Sequence, residues 1–484
     1  MNSSRKILPI VLFVLGAFTL ESTAQDILSE FNPIIKEGEF TKAQSMMRKK
    51  IASNPDMNPL DRLALEFEAE RLNRIRKDFT KTKKDIIEYI QKYIPDVTEE
   101  DLKRWEEEKS LECRIIDHNK WYFNGAASNL FRIDKAAKAK KEDYDRTHRE
   151  ARKYKYSFIE DAGQIVEATE MLNTSLVKPK RFKMTYTLTV HADAVPEGEV
   201  IRAWLPYARE GNPRQVEVHF HYSMPPEHII SDNDAYKHRT IYLEKKTKKC
   251  EPTVFEVCFE YKSYAQFHTI DPEKVQPYDT SSEFYKKYTA EKPPHIVFSK
   301  EFKKISKEIV GDVTNPYLKA KKIFQWVDEW TPWAGAREYS TMKNIPMYCY
   351  ENKHGDCGMQ TLFFMTLARM SGIPVHWQSG WWIAPGEMTL HDWCEIYLEP
   401  YGWLLVDQSF GIKESDDVQV KWFCLGNTDG WRWIINDDFS QPFYPAKMFP
   451  RSETVDFQRG EVEWRGGNLY FDQWNYDLRV ELIE

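Results

Sequence analysis

The sequence lacks an excess of basic residues and any metal-binding spacing. Its 484 residues include 68 Lys and Arg against 75 Asp and Glu, for a net charge of −7. Because no basic stripe with interleaved aromatic residues occurs either, a nucleic-acid partner is not expected. No two cysteines have the C-x-x-C spacing and the histidines show no ligand spacing, so the sequence predicts no zinc site and no other cofactor.

Cysteines are few for a chain of this length. The seven are an odd number spread over the whole sequence, which excludes the dense framework of a small disulfide scaffold. We expect at least one thiol to stay free. Cys250 and Cys258 could form a disulfide bond if the protein folds in an oxidising compartment.

Long hydrophobic runs are also missing after the first 24 residues. Residues 7–20 are apolar, follow Arg5 and Lys6, and precede small residues that end at Ala24. This pattern predicts a secretory signal peptide over residues 1–24, and the run is too short for a membrane span. We therefore expect an exported protein, periplasmic or extracellular, without a transmembrane anchor.

The composition that is present, 42% hydrophobic and 14% aromatic, can bury a large core and predicts two to four domains. Residues 25–178 have a helical period and predict a helical domain, as in the series Leu65, Ala69, Leu72, Ile75 and Phe79.

The period of the sequence changes to two at residue 179. Alternating strands separated by turns predict a β-sandwich over residues 179–266. A proline-containing linker over 267–303 then leads to a domain at 304–412. Residues 413–484 predict a β-rich extension that finishes this domain or covers its cleft.

Cys357 lies on a turn between glycines, directly before a segment with helical spacing that ends at Gly372 and Pro374. A cysteine at a helix N-terminus meets unpaired N–H groups and the positive end of the helix dipole. We therefore expect the pKa of the Cys357 thiol to be lowered, which would supply a nucleophilic thiolate. A buried structural cysteine is the competing interpretation.

His391 and Asp407 lie on two segments that predict a β-hairpin, with its turn at residues 399–402. A loop with an odd number of residues would put both side chains on one face, although the register cannot be read from sequence. The period of two points Cys394 to the other face. A cysteine, a histidine and a carboxylate in this chain order are typical of a nucleophile, a base and an orienting group.

The segment from residue 315 to about 411 resembles the transglutaminase-like superfamily of papain-like cysteine enzymes. The motifs that carry the resemblance are Asn315-Pro316-Tyr317, Gly355-Asp356-Cys357, Arg369 to Val375, His391-Asp392-Trp393, and Gly402-Trp403 through Asp407. The resemblance implies Cys357 as nucleophile, His391 as base and Asp407 as the orienting group. It also implies Trp333 as a donor to the oxyanion, unless Trp333 is only a packing aromatic. Cys394 departs from the family pattern, which has a small or aliphatic residue there.

The predicted fold class is α+β multidomain, with an N-terminal helical domain, a β-sandwich and a papain-like, transglutaminase-like catalytic domain. The predicted function is acyl transfer from an amide in a peptide, protein or peptidoglycan-type substrate. Water as the acceptor would make the protein a peptidase or amidase, which we favour, and an amine would make it a transglutaminase. A binding module with a decayed site is the alternative from another class. The sequence leaves the oligomeric state open.

Overall fold

The computed structural model describes residues 27–148 and 156–483. The predicted signal peptide, residues 1–24, lies outside this part of the chain. Two compact units divide at residue 147, Met1–Thr147 and His148–Glu484. Among the described residues, no helix is both long and apolar enough to cross a membrane.

The first unit consists of helices and one β-hairpin. Its elements are α1 Asn32–Lys36, α2 Phe40–Ser53, α3 Pro59–Asp78, α4 Lys83–Ile90, α5 Glu99–Glu107, β1 Cys113–Ile116, β2 Asn119–Tyr122, α6 Ala126–Ile133 and α7 Lys135–His148. Thr82 and Thr98 begin α4 and α5 with capping boxes, which satisfy N–H groups that a helix start leaves unpaired. Leu65, Leu72 and Ile75 of α3 are fully buried in the core of this unit, so the apolar stripe read from the sequence faces that core.

The second unit begins with one helix and six strands. These are α8 Phe158–Leu172, β3 Leu176–Val190, β4 Val200–Pro206, β5 Gln215–Met224, β6 Ile229–Ile230, β7 Thr240–Lys246 and β8 Thr253–Gln266. The strands form two antiparallel sheets that share one hydrophobic core. Cys250 is exposed, Cys258 is buried, and both are free thiols. The disulfide bond considered for this pair is therefore absent, because a buried strand position holds Cys258 away from the surface turn that carries Cys250.

Helices and a third sheet follow. They are α9 Glu283–Thr289, α10 Lys300–Val310, α11 Pro316–Trp330, α12 Ile345–Asn352, α13 Cys357–Met370, β9 Val375–Ala384, β10 Glu387–Leu398, β11 Gly402–Val406, α14 Val418–Lys421 and β12 Arg432–Asn436. The sheet is antiparallel with the order β11-β10-β9-β12. The predicted hairpin is confirmed as β10 and β11, with Leu398 opposite Gly402 across a three-residue loop.

The last strands return to the first two sheets. They are β13 Glu461–Trp464, β14 Gly467–Leu469 and β15 Trp474–Leu482. Strand β13 pairs with β4, and β15 pairs with β3. Residues after 413 are thus shared among three sheets, and the segment between β12 and β13 passes beside Cys357.

Helix α13 lies in the interior, beside the third sheet. Every one of its residues from Cys357 to Arg369 is buried. Cys394, Ile396 and Leu398 on β10 belong to the same hydrophobic cluster as this helix. Trp393, which directly precedes Cys394, packs instead with Leu405 and Ile434. One face of β10 therefore lies against α13, and the other face points away from it.

Candidate active site

Cys357 is the first residue of α13, and Asp356 caps the helix by accepting a hydrogen bond from the N–H of Met359 at 3.1 Å. The hydroxyl of Tyr339 donates to Asp356 Oδ1 at 2.7 Å. A Cβ atom on Gly358 would lie 2.2 Å from the Tyr339 hydroxyl oxygen and 2.6 Å from Asp392 Oδ2. Glycine at this position therefore lets two polar side chains approach the start of the helix closely.

The thiol of Cys357 contacts Asp392. Its Sγ atom lies 3.4 Å from Asp392 Oδ2, which also accepts a hydrogen bond from Tyr339 at 3.3 Å. Gln458 Nε2 donates to Asp392 Oδ1 at 2.8 Å. The Asp392 carboxyl is thus held against the sulfur by donors from two other segments.

Burial and the carboxyl groups of Asp392 and Asp356 raise the pKa of the Cys357 thiol well above its ordinary value. The expectation of a lowered pKa is therefore wrong for this arrangement. Sequence shows the helix N-terminus, which favours a thiolate, but it does not show two acidic groups brought to the same sulfur in a buried place. Both of these disfavour the charged form.

The pKa values of the carboxyl groups around Cys357 are also raised. Burial raises the pKa of Asp356 to about 6 and that of Glu453 to about 8. Burial and contact with Asp456 raise the pKa of Asp392 well above its ordinary value. Each of these acidic groups therefore holds its proton more tightly than an ordinary carboxyl group does.

His391 and Asp407 meet on the other face of β10. His391 Nε2 lies 2.7 Å from Asp407 Oδ2, and both residues are buried. Arg432 donates to the same carboxylate oxygen at 2.7 Å and to Asp429 Oδ2 at 3.0 Å. Burial alone would raise the pKa of Asp407, but His391 and Arg432 together hold it well below its ordinary value.

Of the three residues predicted as a catalytic triad, the structure brings two together. His391 contacts Asp407, whereas no hydrogen bond joins His391 to Cys357 among the described residues. Neighbouring positions on a strand point to opposite faces, so when Asp392 faces α13, His391 faces away from it. Cys394 is on the face opposite His391, as predicted, and this face lies against α13. Its sulfur lies 3.8 Å from the carbonyl oxygen of Val406.

Cys357 and Asp392 line a cavity of about 400 Å³, which is also lined by Trp333, residues 335–339 and residues 456–460. Neither His391 nor Asp407 is among its lining residues. Trp333 is 44% exposed, so it lies at the predicted place beside the cysteine without being part of the core. A cavity of this size is large enough for a small ligand or a short piece of a larger one.

Several functional candidates were not identified from the sequence. Asp392 and Asp456 face the cavity, and Arg432 pairs with Asp407. The only sequence signal for Asp392 is its position next to His391, within the motif that carries the family resemblance. Asp456 and Arg432 lie more than twenty positions after the site residues that they accompany in the structure. No sequence pattern links them to those residues.

One group outside this cavity has metal-ligand chemistry. Donor atoms of His376, Glu395 and Asp437 lie within 4.8 Å of one another. Arg214 already pairs with Glu395, and Lys237 lies 3.7 Å from Asp437. These cations compensate the two carboxylates, so the group is an ion-pair network with its own charge balance.

One segment of the chain matches a known protein family. Residues 303–408 match the model of the transglutaminase-like superfamily, and this range includes Cys357, His391 and Asp407. No curated protein matches the sequence significantly.

Solved structures give weaker similarities. A proposed cysteine protease from Cytophaga hutchinsonii is 13% identical, with a TM-score of 0.42 over 64% of this chain and 92% of its own. The periplasmic domain of TgpA from Pseudomonas aeruginosa is 11% identical, with a TM-score of 0.25 over 52% of this chain and 97% of its own. Scores this low do not establish a common overall fold. On the match of residues 303–408, this segment is a domain of the transglutaminase-like superfamily.

Proposed function

We propose that this chain is an exported cysteine enzyme that cleaves an amide by acyl transfer, with Cys357 as the nucleophile and water as the acceptor. The observation that carries the proposal is the position of the thiol, which lies at the N-terminus of a buried helix and lines a cavity of about 400 Å³. Peptides, proteins and peptidoglycan-type amides are the proposed substrates.

In the proposed reaction, the sulfur of Cys357 attacks the amide carbonyl carbon and its proton passes to a base. The tetrahedral oxyanion is stabilised by N–H groups at the start of α13 and by the indole N–H of Trp333. The amine leaves with a proton from the protonated base, and water then hydrolyses the thioester. Each step needs a proton carrier within reach of the sulfur.

We propose His391 as this carrier, oriented by Asp407, so that Cys357, His391 and Asp407 act as a triad. Asp407 holds Nε2 of His391 at 2.7 Å, which leaves Nδ1 for the thiol. Contact would require a local rearrangement at the start of β10, where Met388 is 53% exposed and Thr389 is also exposed. Asp392 is the competing carrier, because it already lies 3.4 Å from the sulfur.

The proposal is tested by turnover of the full chain on a panel of peptide amides. We expect Cys357→Ala to abolish release of the amine, while Cys349→Ala, which removes another buried thiol, leaves it measurable. Turnover that survives Cys357→Ala would overturn the proposal. The acceptor is identified in the same assay by adding a fluorescent primary amine. Product that carries the amine would indicate transamidation, and free acid would indicate hydrolysis.

A binding module would give a different result. The wild-type chain would bind peptides without releasing any product, and Cys357→Ala would bind them equally well. That outcome would replace the enzyme proposal.

A further inference from the structure

Five carboxyl side chains line the cavity beside Cys357, and they outnumber the cations there. They belong to Glu338, Asp356, Asp392, Glu453 and Asp456, and the only cationic side chains among the lining residues are Arg337 and Arg459. Arg459 forms a two-pronged salt bridge with Glu338. The remaining carboxyl groups therefore exceed the remaining guanidinium group by three.

Asp456 is buried, and only one of its two carboxyl oxygens accepts hydrogen bonds from the described residues. Its Oδ1 atom accepts hydrogen bonds from Ser379 at 2.6 Å and from Asn436 at 2.7 Å. Its Oδ2 atom has no donor among the described residues, although the side chain is only 3% exposed. An unpaired buried oxygen of a carboxylate is costly unless a proton or a cation satisfies it.

A second carboxyl group, that of Asp392, lines the same cavity as Asp456. Contact between Asp456 and Asp392 raises the pKa of Asp392, as expected for two acidic groups that cannot both ionise freely. A shared proton satisfies such a pair when the cavity is empty. A cation with several N–H donors would satisfy both groups as carboxylates.

Aromatic side chains also line the cavity. Trp333 is 44% exposed and Tyr476 is 38% exposed, and Trp381 packs against Tyr476 at a ring separation of 5.9 Å. Faces of Trp and Tyr attract cations. The cavity therefore combines unpaired acid with aromatic surface, next to the sulfur of Cys357.

We propose that this cavity binds a primary ammonium group of the substrate, held between Asp456 and Asp392. This inference rests on the proposed function, because it defines the substrate of the same site. The ammonium donates its N–H groups to the two carboxylates, and the proton that they share in the empty cavity passes to solvent. The group is either the amino terminus of a peptide or the side-chain ammonium of a lysine-like residue.

The test is a binding measurement with the full-length Cys357→Ala protein, which cannot turn the probe over. Alanyl-alanine amide carries an amino-terminal ammonium, and its N-acetyl derivative carries none. N-acetyl-alanyl-lysine amide carries only a side-chain ammonium, and N-acetyl-alanyl-norleucine amide is its uncharged partner. We expect at least one ammonium probe to bind about 10-fold or more tightly than its uncharged partner at pH 7, as is typical of charge-assisted hydrogen bonds. The pair that shows the preference identifies the source of the ammonium.

Asp456→Asn in the same background should remove the preference, because the amide cannot accept a cation as a carboxylate does. Asp438→Asn is the matched control, since Asp438 pairs with Lys292 outside this cavity, and it should keep the preference. Lowering the pH from 7 to 4.5 should also shrink the preference, as the carboxyl groups become protonated. This comparison needs no variant of Asp456, so it stands even if Asp456→Asn fails to fold.

Equal binding within both probe pairs, tighter binding of the uncharged partners, or a preference that survives in folded Asp456→Asn would each overturn the inference. The proposed function fails separately. If the wild-type chain releases no product from any peptide, the enzyme proposal is wrong, whereas an ammonium preference in the binding experiment would still support this site.

Discussion

The two faces of strand β10 differ in how their acidic groups are compensated. On one face, Asp407 is paired with His391 and Arg432, and the pKa of Asp407 is held well below its ordinary value. On the other face, Asp392 meets a thiol and another carboxyl group, and its pKa is raised. The first face is an ion-pair cluster closed by Phe410 and Trp393, and the second opens into the cavity.

This difference teaches that two adjacent residues of one motif can have separate roles. A fully compensated carboxylate orients its partner and resists protonation, whereas an uncompensated one takes up a proton or a ligand. The groups proposed for catalysis are therefore separated in this structure. The sulfur of Cys357 is on the open face of β10, and the imidazole of His391 is on the closed face.

The largest expected effect comes from replacing the two candidate proton carriers, His391 and Asp392, one at a time. If His391 serves Cys357, His391→Gln should lower kcat for amide cleavage, measured at saturating substrate, by about 10² to 10⁴-fold, the usual contribution of a general base, while Asp392→Asn lowers kcat less. The reverse order would assign the role to Asp392 and end the triad proposal. His376→Gln is the matched control, because His376 is a buried histidine on the same sheet that pairs with Glu395.

Replacement of Arg432 tests whether the closed face depends on its cation. Arg432→Met would leave Asp407 and Asp429 buried without their shared partner, and removing one member of a buried ion pair costs about 3 to 5 kcal/mol. Urea unfolding should show this loss in the free energy of unfolding. Arg479→Met, at a largely exposed position, should change it by less than about 0.5 kcal/mol. A similar small change for Arg432→Met would show that the closed face is not held by charge.

Trp333 tests whether the open face carries the chemistry. If its indole N–H donates to the oxyanion, Trp333→Phe should lower kcat by about 10² to 10³-fold and leave KM similar, because this hydrogen bond strengthens in the transition state. Trp422→Phe, outside the cavity, should have wild-type kinetics. An unchanged kcat for Trp333→Phe would reduce Trp333 to a packing residue.

The smallest effect concerns the stability of the open face as a function of pH. The pKa of Glu453 is raised to about 8 in the folded protein, against about 4.3 when unfolded. The folded state therefore binds the proton of Glu453 more tightly than the unfolded state does. The contribution of this group to the free energy of unfolding is at its full value below pH 4 and is lost as the pH rises towards 8.

Glu453→Gln keeps an acceptor oxygen for the N–H of Val455 but never ionises. We expect it to raise Tm by about 2 °C or more at pH 9 and to leave Tm unchanged at pH 4. Thermal scans at the two pH values measure this, with Glu387→Gln at an exposed position as the control. An equal shift at both pH values would exclude ionisation as the cause.

Local pattern was enough to predict much of the site. The helix that begins at Cys357 follows from a capping residue and helical spacing, and the hairpin that joins His391 to Asp407 follows from alternation around a turn. Both patterns are carried by residues close together in the chain. The site's carboxyl partners could not be found this way, because Asp456 lines the cavity beside Cys357 although it lies about a hundred residues later in the chain.

By itself, the sequence determined the elements, the superfamily of residues 303–408 and the residue types that can do chemistry. Only the tertiary structure decided which face of β10 lies against α13, and hence that Asp392 and not His391 touches the sulfur. It also decided that β13 and β15 cross back to strands β4 and β3. The physical reason is that side-chain alternation sets two faces but does not say which is buried against what, and pairing over hundreds of residues depends on the packing of the whole unit.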